Sequence, residues 1–547
     1  QTGGSILSKY GQKMTKPPFG CGGALTGPIF SFTFPEITNL IPTYMMKFDK
    51  RAALVSAAAL TSSLACAAQP NVVFILADDM GYGDVSALNE KSRIRTPAID
   101  ALCREGVTFT DAHSGSSVST PSRYGILTGR YAFRTTLKSG VTNSYSPPLI
   151  APDRRTIATF LSEQGYSTAC IGKWHLGWNW AMRDGEVDFS GPIDGGPVTR
   201  GFDYFFGIPA SLDMPPYVYI ENDRVTALPD RTAADGKGLL LQRSGPQGAD
   251  FEHGECLQRI TRKSLEYIAR QRKDRPFFLY MPLTAPHTPI LPSEEFRGKS
   301  GLSPYGDFVM MVDDVVAQVV ARLKEQGLYE NTVIVFAADN GCFHGAGVRQ
   351  MEADGHYPSY IYRGYKSDLF DGGHRVPLIV SRGGKNGGRV EQGLVSLTDF
   401  YATFAEMTGY RLTPGEGEDS YSLWGVLTGE GRNVRPDAVH HSNTGCFSLR
   451  EGRWKILFTA GSGGWSFPTL PRDREYMATL PAMQLYDLES DPGETRNVIG
   501  EHPDVVRRLT ARMREHIERG RSTPGPAQTN ETRGEWKQTA LFMNDAK

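Results

Sequence analysis

Two continuous apolar runs, NVVFILA at residues 71–77 and VIVFAA at 333–338, constrain the fold of this chain more than any other feature. Runs rich in Val, Ile, Phe and Leu without alternation suit strands covered on both faces, as in a parallel sheet between helices. Similar short runs stand at 167–171, 277–281 and 377–380, with helical patterns between them at 156–163, 254–271, 307–326 and 397–407. The expected fold class is therefore α/β, a mixed, mostly parallel sheet sandwiched by helices, occupying a main domain over residues 70–420. Around 410–435 the texture turns to Gly, Pro, Glu and Asp. Beyond it lie short strand patterns at 447–450, 454–458 and 484–488, then a helical pattern at 502–519 carrying Val505, Leu509, Met513 and Ile517 on one face. These predict a smaller C-terminal α+β subdomain over 435–525, an antiparallel sheet with one packed helix, followed by a loose polar tail at 526–547.

Lys and Arg total 59 against 60 Asp and Glu, a net charge of −1. No global field argues for nucleic acid or an anionic membrane, so any preference for an anion must be local. Seven scattered cysteines show no CxxC pair and no metal-finger spacing, which indicates neither a disulfide framework nor a zinc site and leaves room for one or two bridges at most. From Met45 the chain runs MMKFDKRAALVSAAALTSSLACAAQP, a basic start, an apolar stretch at 52–64 and small residues. That pattern predicts a secretory signal peptide over 45–67, with an apolar core too short to span a membrane. Soluble export, most simply to the periplasm, is preferred over a lipoprotein at Cys66, because Ser63 stands where an aliphatic residue is favoured. Residues 1–44 read as an upstream extension outside the domains.

The chemistry gathers where strands end. Asp78 and Asp79 follow the first run, and Asp339 and Asn340 follow the second. Adjacent side chains share one ion only where the chain leaves the sheet, and ligands collect at the carboxyl ends of strands in open α/β sheets. Three carboxylates and an amide oxygen form a hard set that suits Ca²⁺ in preference to Mg²⁺ or zinc. Such pairs are also ordinary turn residues, so neither decides the matter alone. Residues 119–130 read STPSRYGILTGR, which as local structure is a Ser/Thr/Pro loop capping a helix that starts near Arg123. Candidate anion-binding and proton-transfer groups are Lys173 and His175 in GKWHLG, His287 in TAPHTP, and Lys366 in RGYKSDLFDGGHRVP. Taken singly, each lysine reads as a solvated surface residue and each histidine as structural.

Together these strings, with RGFDYFFGIP and LYDLESDPGE, resemble the type I sulfatases of the alkaline phosphatase superfamily across most of residues 70–500. The resemblance implies an alkaline-phosphatase-like fold and the removal of O-sulfate from a sulfated glycan. In that family the Cys or Ser of the xPxR signature is oxidised to formylglycine, whose hydrate carries two hydroxyls and so releases the sulfo group it has captured. Carried across by motif, the modified residue is Ser119, steadied by Arg123. Asp78, Asp79, Asp339 and Asn340 hold calcium, Lys173 and Lys366 bind the sulfate, His175 removes a proton from the sulfated hydrate, and His287 protonates the leaving alcohol with help from Lys366.

A Ser-type signature implies a radical-SAM maturase acting before export, and a Cys replaced by Ser would give the same string. Resemblance to exo-acting carbohydrate sulfatases, some related to galactose and N-acetylgalactosamine 6-sulfatases, suggests a 6-O-sulfated sugar at a non-reducing end. His374, Asp213 and His344 are the candidates for contacts to sugar hydroxyls. Two other functions stay open at this point: a phosphatase or phosphodiesterase using Ser119 directly, and a glycan-binding relative without activity.

Overall fold

Strand Asn71–Ala77, buried along its whole length, lies inside a ten-stranded sheet. It pairs in parallel with Thr332–Ala338 on one side and Phe277–Pro282 on the other. Ser167–Lys173 and Tyr204–Ile208 extend the second side, also in parallel, so five adjacent strands point the same way. Antiparallel partners flank these five, Leu378–Arg382 beside Thr332–Ala338 and Ile220–Glu221 beside Tyr204–Ile208, and three short outer strands, Val107–Phe109, Arg389–Glu391 and Arg224–Val225, complete the sheet. The structure, a computed structural model, describes residues 69–532 and 535–544. The expected signal peptide and upstream extension lie outside the described residues.

Helices sandwich the sheet. Phe400–Thr408 lays Phe400 edge-on against Phe74 and Phe404 against Phe278. Pro304–Glu325 buries Val309, Val312, Val316, Val319 and Leu323, a stripe at helical spacing, and a single core runs from these elements through the central strands. The expected helices and strands are present with small shifts at their ends. Ten residues from Ser119 to Thr128 form the helix expected to begin near Arg123.

The C-terminal sheet has four antiparallel strands, Asp437–His441, Phe447–Glu451, Trp454–Leu457 and Gln484–Asp487, with helix Pro503–Glu518 packed on it. The first of these carries no legible strand pattern, because DAVHH is short and two of its five residues are histidines. Its core takes in Tyr131 and Phe133 from the main domain, so the two layers are continuous. The tail is a correction. Instead of lying loose, it sets Phe542 fully buried against Phe447 and Phe458, and puts Trp536 against Phe133. Two aromatics in a polar segment bury enough apolar surface to hold it down. Cys103, Cys170, Cys256, Cys342 and Cys446 are all free thiols, so no disulfide occurs among the described residues. No helix among them is long and apolar enough to cross a membrane.

Candidate active site

Parallel pairing in register sets Ala77 beside Ala338, which places Asp78 and Asp79 next to Asp339 and Asn340 as the two strands end. The neighbouring strands deliver their own groups to the same rim. Lys173 is the last residue of Ser167–Lys173, His287 lies five residues beyond Pro282, and Ser211 and Asp213 follow Ile208. Both Asp79 and His175 adopt left-handed backbone (φ 63° and 57°), turning the chain sharply where it leaves the sheet.

Ser119 occupies the first turn of its helix, where free backbone N–H groups and the helix dipole favour negative charge. Pro121, also in that turn, lacks only a donor that would have no helical partner. Arg123 stands one turn on, on the same face as Ser119, and gives Nε and Nη2 to Asp339 Oδ2 (3.1 and 2.7 Å) with Asp78 Oδ1 at 3.4 Å. Gly129 ends the helix at φ 62°, and a Cβ there would meet the Cβ of Tyr401 at 2.7 Å, which accounts for the glycine of LTG.

Around the Ser119 hydroxyl the contacts are close. Its Oγ lies 3.3 Å from Asp78 Oδ1, 3.5 Å from Asn340 Oδ1 and 3.3 Å from Lys173 Nζ. Lys173 also donates to Asp78 Oδ2 at 2.7 Å, and Lys366 to Asp79 Oδ2 at 2.7 Å. Three buried carboxylates thus face three cations, as charges away from water require. Burial would raise the Asp78 carboxyl, but Lys173, His287 and Arg123 outweigh it and hold it at about 2. Burial lowers Lys173, against the pull of Asp78. Lys366 is held above its ordinary range because Asp79 and Asp78 overcome its burial.

The two histidines present opposite ring nitrogens. His175 Nε2 lies 2.8 Å from the Thr142 carbonyl and must donate to it, which leaves Nδ1 with its lone pair free near Ser211 Oγ. Burial, then the nearby Lys173 and Arg123 charges, keep this ring neutral. His287 gives Nδ1–H to the Thr288 carbonyl and turns Nε2 toward Lys366 Nζ at 3.1 Å and Asp79 Oδ2 at 3.5 Å.

Above Ser119 opens a cavity of about 170 Å³ lined by His175, His287, Lys366, Asp213, Arg243, Asn443 and Trp465, among others. Lys173 lies beneath Ser119 and does not line it. Asp213 is at the wall, paired with Arg243 at 2.6 Å. His374 is not. It is fully buried, stacked on His440 and bonded to His113 and the Leu369 carbonyl, so the expected sugar contact is corrected to a buried position away from the cavity. His344 is exposed and is not among the lining residues, but it packs against Trp465 and Phe343, which are. Arg243, Asn443 and Trp465 are invisible to sequence reasoning, since each stands in an irregular loop with no periodicity to mark it.

The donors facing the Ser119 hydroxyl from Asp78 and Asn340 are oxygens, Asp79 Oδ1 accepts from Asn340 Nδ2 at 2.8 Å, and Asp78, Asp79 and His287 each bring a ligand atom within 4.8 Å of the others. Asp339 stands one step back, with Oδ2 on Arg123 and Oδ1 accepting the Asp79 N–H. This donor set fits a hard divalent cation.

The family model described as Sulfatase matches residues 70–410. An N-acetylgalactosamine-6-O-sulfatase of Bacteroides thetaiotaomicron is 32% identical over 482 residues, covering 81% of this chain and 92% of that protein. Arylsulfatase A of Homo sapiens is 32% identical over 462 residues, covering 81% of this chain and 86% of that one. A solved structure from work on the metabolism of multiple glycosaminoglycans by Bacteroides thetaiotaomicron superposes with a TM-score of 0.72 at 31% identity, covering 82% of this chain and 99% of its own.

Proposed function

The chain belongs to the sulfatase family, and we propose that it removes a 6-O-sulfate from galactose or N-acetylgalactosamine at the non-reducing end of a glycan, using residue 119 as nucleophile. That it is a sulfuric ester hydrolase follows from the family and its curated relatives. The observation that carries the finer reading is the position of Ser119 Oγ, within 3.5 Å of Asp78, Asn340 and Lys173 at the floor of a cavity that also takes in His175, His287 and Lys366. The small volume supports a terminal sugar, and the 6-O position rests on the Bacteroides relative.

Oxidation of Ser119 to formylglycine would supply a hydrated aldehyde, a nucleophile that also provides a route for releasing sulfate. Asp78, Asp79 and Asn340, with Asp339 behind them, would hold Ca²⁺, which supplies positive charge beside the attacking oxygen and the sulfate. The remaining work falls to side chains. Lys173 steadies the oxygen at position 119 from below, while Arg123 acts as a positioning residue by fixing Asp339 and Asp78. Lys366, at the cavity wall, binds a sulfate oxygen and stays charged beside His287 Nε2 at 3.1 Å, while His287, entering the step protonated, would give the Nε2 proton to the departing sugar oxygen. His175 Nδ1, neutral and with its lone pair directed inward, takes the proton whose loss lets sulfate leave. A serine phosphatase usually employs two metals. Among the described residues the groups facing Ser119 form a single donor set, which supports the sulfatase chemistry.

The test is a screen of defined sulfated monosaccharides, with matching phosphate esters, against enzyme co-produced with a sulfatase-maturing radical-SAM protein. Sulfate release from a 6-O-sulfated galactose-type sugar is expected. Turnover of the phosphate ester alone, or binding of sulfated sugar without release, contradicts the proposal.

A further inference from the structure

A second constellation of metal-binding side chains lies away from the cavity, where the C-terminal sheet meets the main domain. His113 ends the short strand Ala112–His113, His374 ends the helical turn Asp371–His374, and His440 belongs to strand Asp437–His441. All three are buried, and each brings one ring nitrogen within 4.8 Å of the others.

Their hydrogen bonds fix the tautomers. His113 Nε2 lies 3.0 Å from Asp111 Oδ1, a carboxylate kept ionised by Arg375 and Arg450, so Nε2 carries the proton. His374 Nε2 lies 2.9 Å from the Leu369 carbonyl, which only accepts, so that nitrogen is also protonated. Lys455 Nζ sits farther from the same nitrogen, at 3.2 Å, and gives two of its three protons to Asp371 at 2.6 Å and Glu494 at 2.9 Å, so the shorter contact to the carbonyl sets the tautomer. In neutral rings both Nδ1 atoms then carry lone pairs, and these two atoms are 2.9 Å apart. Two lone pairs at that distance repel unless a positive centre lies between them. His440 adds an Nε2 that is buried and has no hydrogen-bond partner.

We propose that His113, His374 and His440 form a buried site for a zinc-type divalent transition metal, separate from the oxygen-lined site at Asp78 and Asp79. Imidazole nitrogen suits such an ion, and ligating histidines characteristically give their other N–H to a carboxylate or backbone carbonyl, as His113 and His374 do here. Burial drives all three rings toward the neutral, ligating form. His440 is stacked on His374 at 3.8 Å between centroids, so it must rotate out of the stack to close on the ion. Three protein ligands leave a fourth position for water. The ion ties a strand of the C-terminal sheet to two segments of the main domain.

The test uses the full chain, stripped with chelator, returned to excess Ca²⁺ to occupy the oxygen site, and then given Zn²⁺. Metal analysis is expected to show zinc retained at one ion per chain, with a higher melting temperature. His440→Gln, which removes the unpartnered nitrogen together with a 3.3 Å contact to Ser448 and the ring contacts to His374 and His113, should melt cooperatively and retain none. Zinc-edge X-ray absorption of the unaltered protein tests the site without relying on a variant: imidazole nitrogens at about 2.0–2.1 Å are expected. A folded protein that takes up no zinc, the pair sharing only a proton, overturns the proposal. So does equal uptake by His440→Gln, or an all-oxygen shell around the zinc.

Discussion

His175 and His287 each commit one ring nitrogen to a backbone carbonyl and turn the other to the cavity, an arrangement that suits the opposite tasks proposed for them. The two lysines differ as well. Lys173 is wholly buried under Ser119, whereas Lys366 lines the space a sulfate would enter. Trp465, 37% exposed at the cavity wall with its ring against Phe343 and His344, is placed where it could offer a platform to a sugar face. Trp465→Ala should raise KM for a sulfated monosaccharide about tenfold, the worth of one aromatic contact, while kcat changes little. Steady-state kinetics on matured enzyme check this, and a loss confined to kcat contradicts it. None of that is legible in GSGGWSFP, where a tryptophan among Gly, Ser and Pro shows neither helical nor strand spacing. His374 misleads for the opposite reason. DGGHR stands next to strings that shape the site, yet the turn it forms faces inward to His113 and Lys455.

Elements are legible in proportion to how completely their surroundings dictate them. Asn71–Ala77 and Thr332–Ala338 are covered on both faces, so their sequences carry little but apolar side chains, and the acids just past their ends stand out. Helix Pro97–Glu105 is hidden by comparison. PAIDALCRE is only nine residues long, too short for its apolar spacing to stand out, and its buried residues are only Ile99 and Leu102. What starts it is tertiary: Asp313, on the long helix Pro304–Glu325, accepts the N–H groups of Ala98 and Ile99 at 3.1 and 2.8 Å. Burial raises that carboxyl to about 6, only partly offset by those two bonds. Because the folded value exceeds the unfolded one, the native state holds the extra proton. The stability this contributes is full below about pH 4 and lost as pH rises through about 6. Asp313→Asn keeps an acceptor and removes the titration. Relative to this variant, the unaltered protein should lose on the order of 2 kcal/mol of unfolding free energy between about pH 4 and 7. Denaturant melts at the two pH values read the difference directly, and parallel behaviour of the two proteins contradicts it.

Across the whole molecule, one design principle joins fold and chemistry. Five parallel strands end at a common rim, an antiparallel neighbour begins there, and Ser119 is brought in by the first turn of a helix. Groups as far apart in sequence as Asp78 and Lys366 meet because strand register, not chain proximity, sets their spacing. Sequence reasoning reaches the rim, since strand ends are visible in hydropathy. It does not reach the docked tail, where Trp536 and Phe542 act as isolated anchors, nor Arg243, which comes to the cavity on a loop. On the proposed function, this architecture serves a modified residue 119. The most direct test is to measure the mass of the peptide containing residue 119 in parallel with sulfate release, for protein made with and without a maturase. Activity should rise in step with the fraction of Ser119 carrying the mass of the aldehyde; full activity in protein whose Ser119 is unaltered would contradict the account.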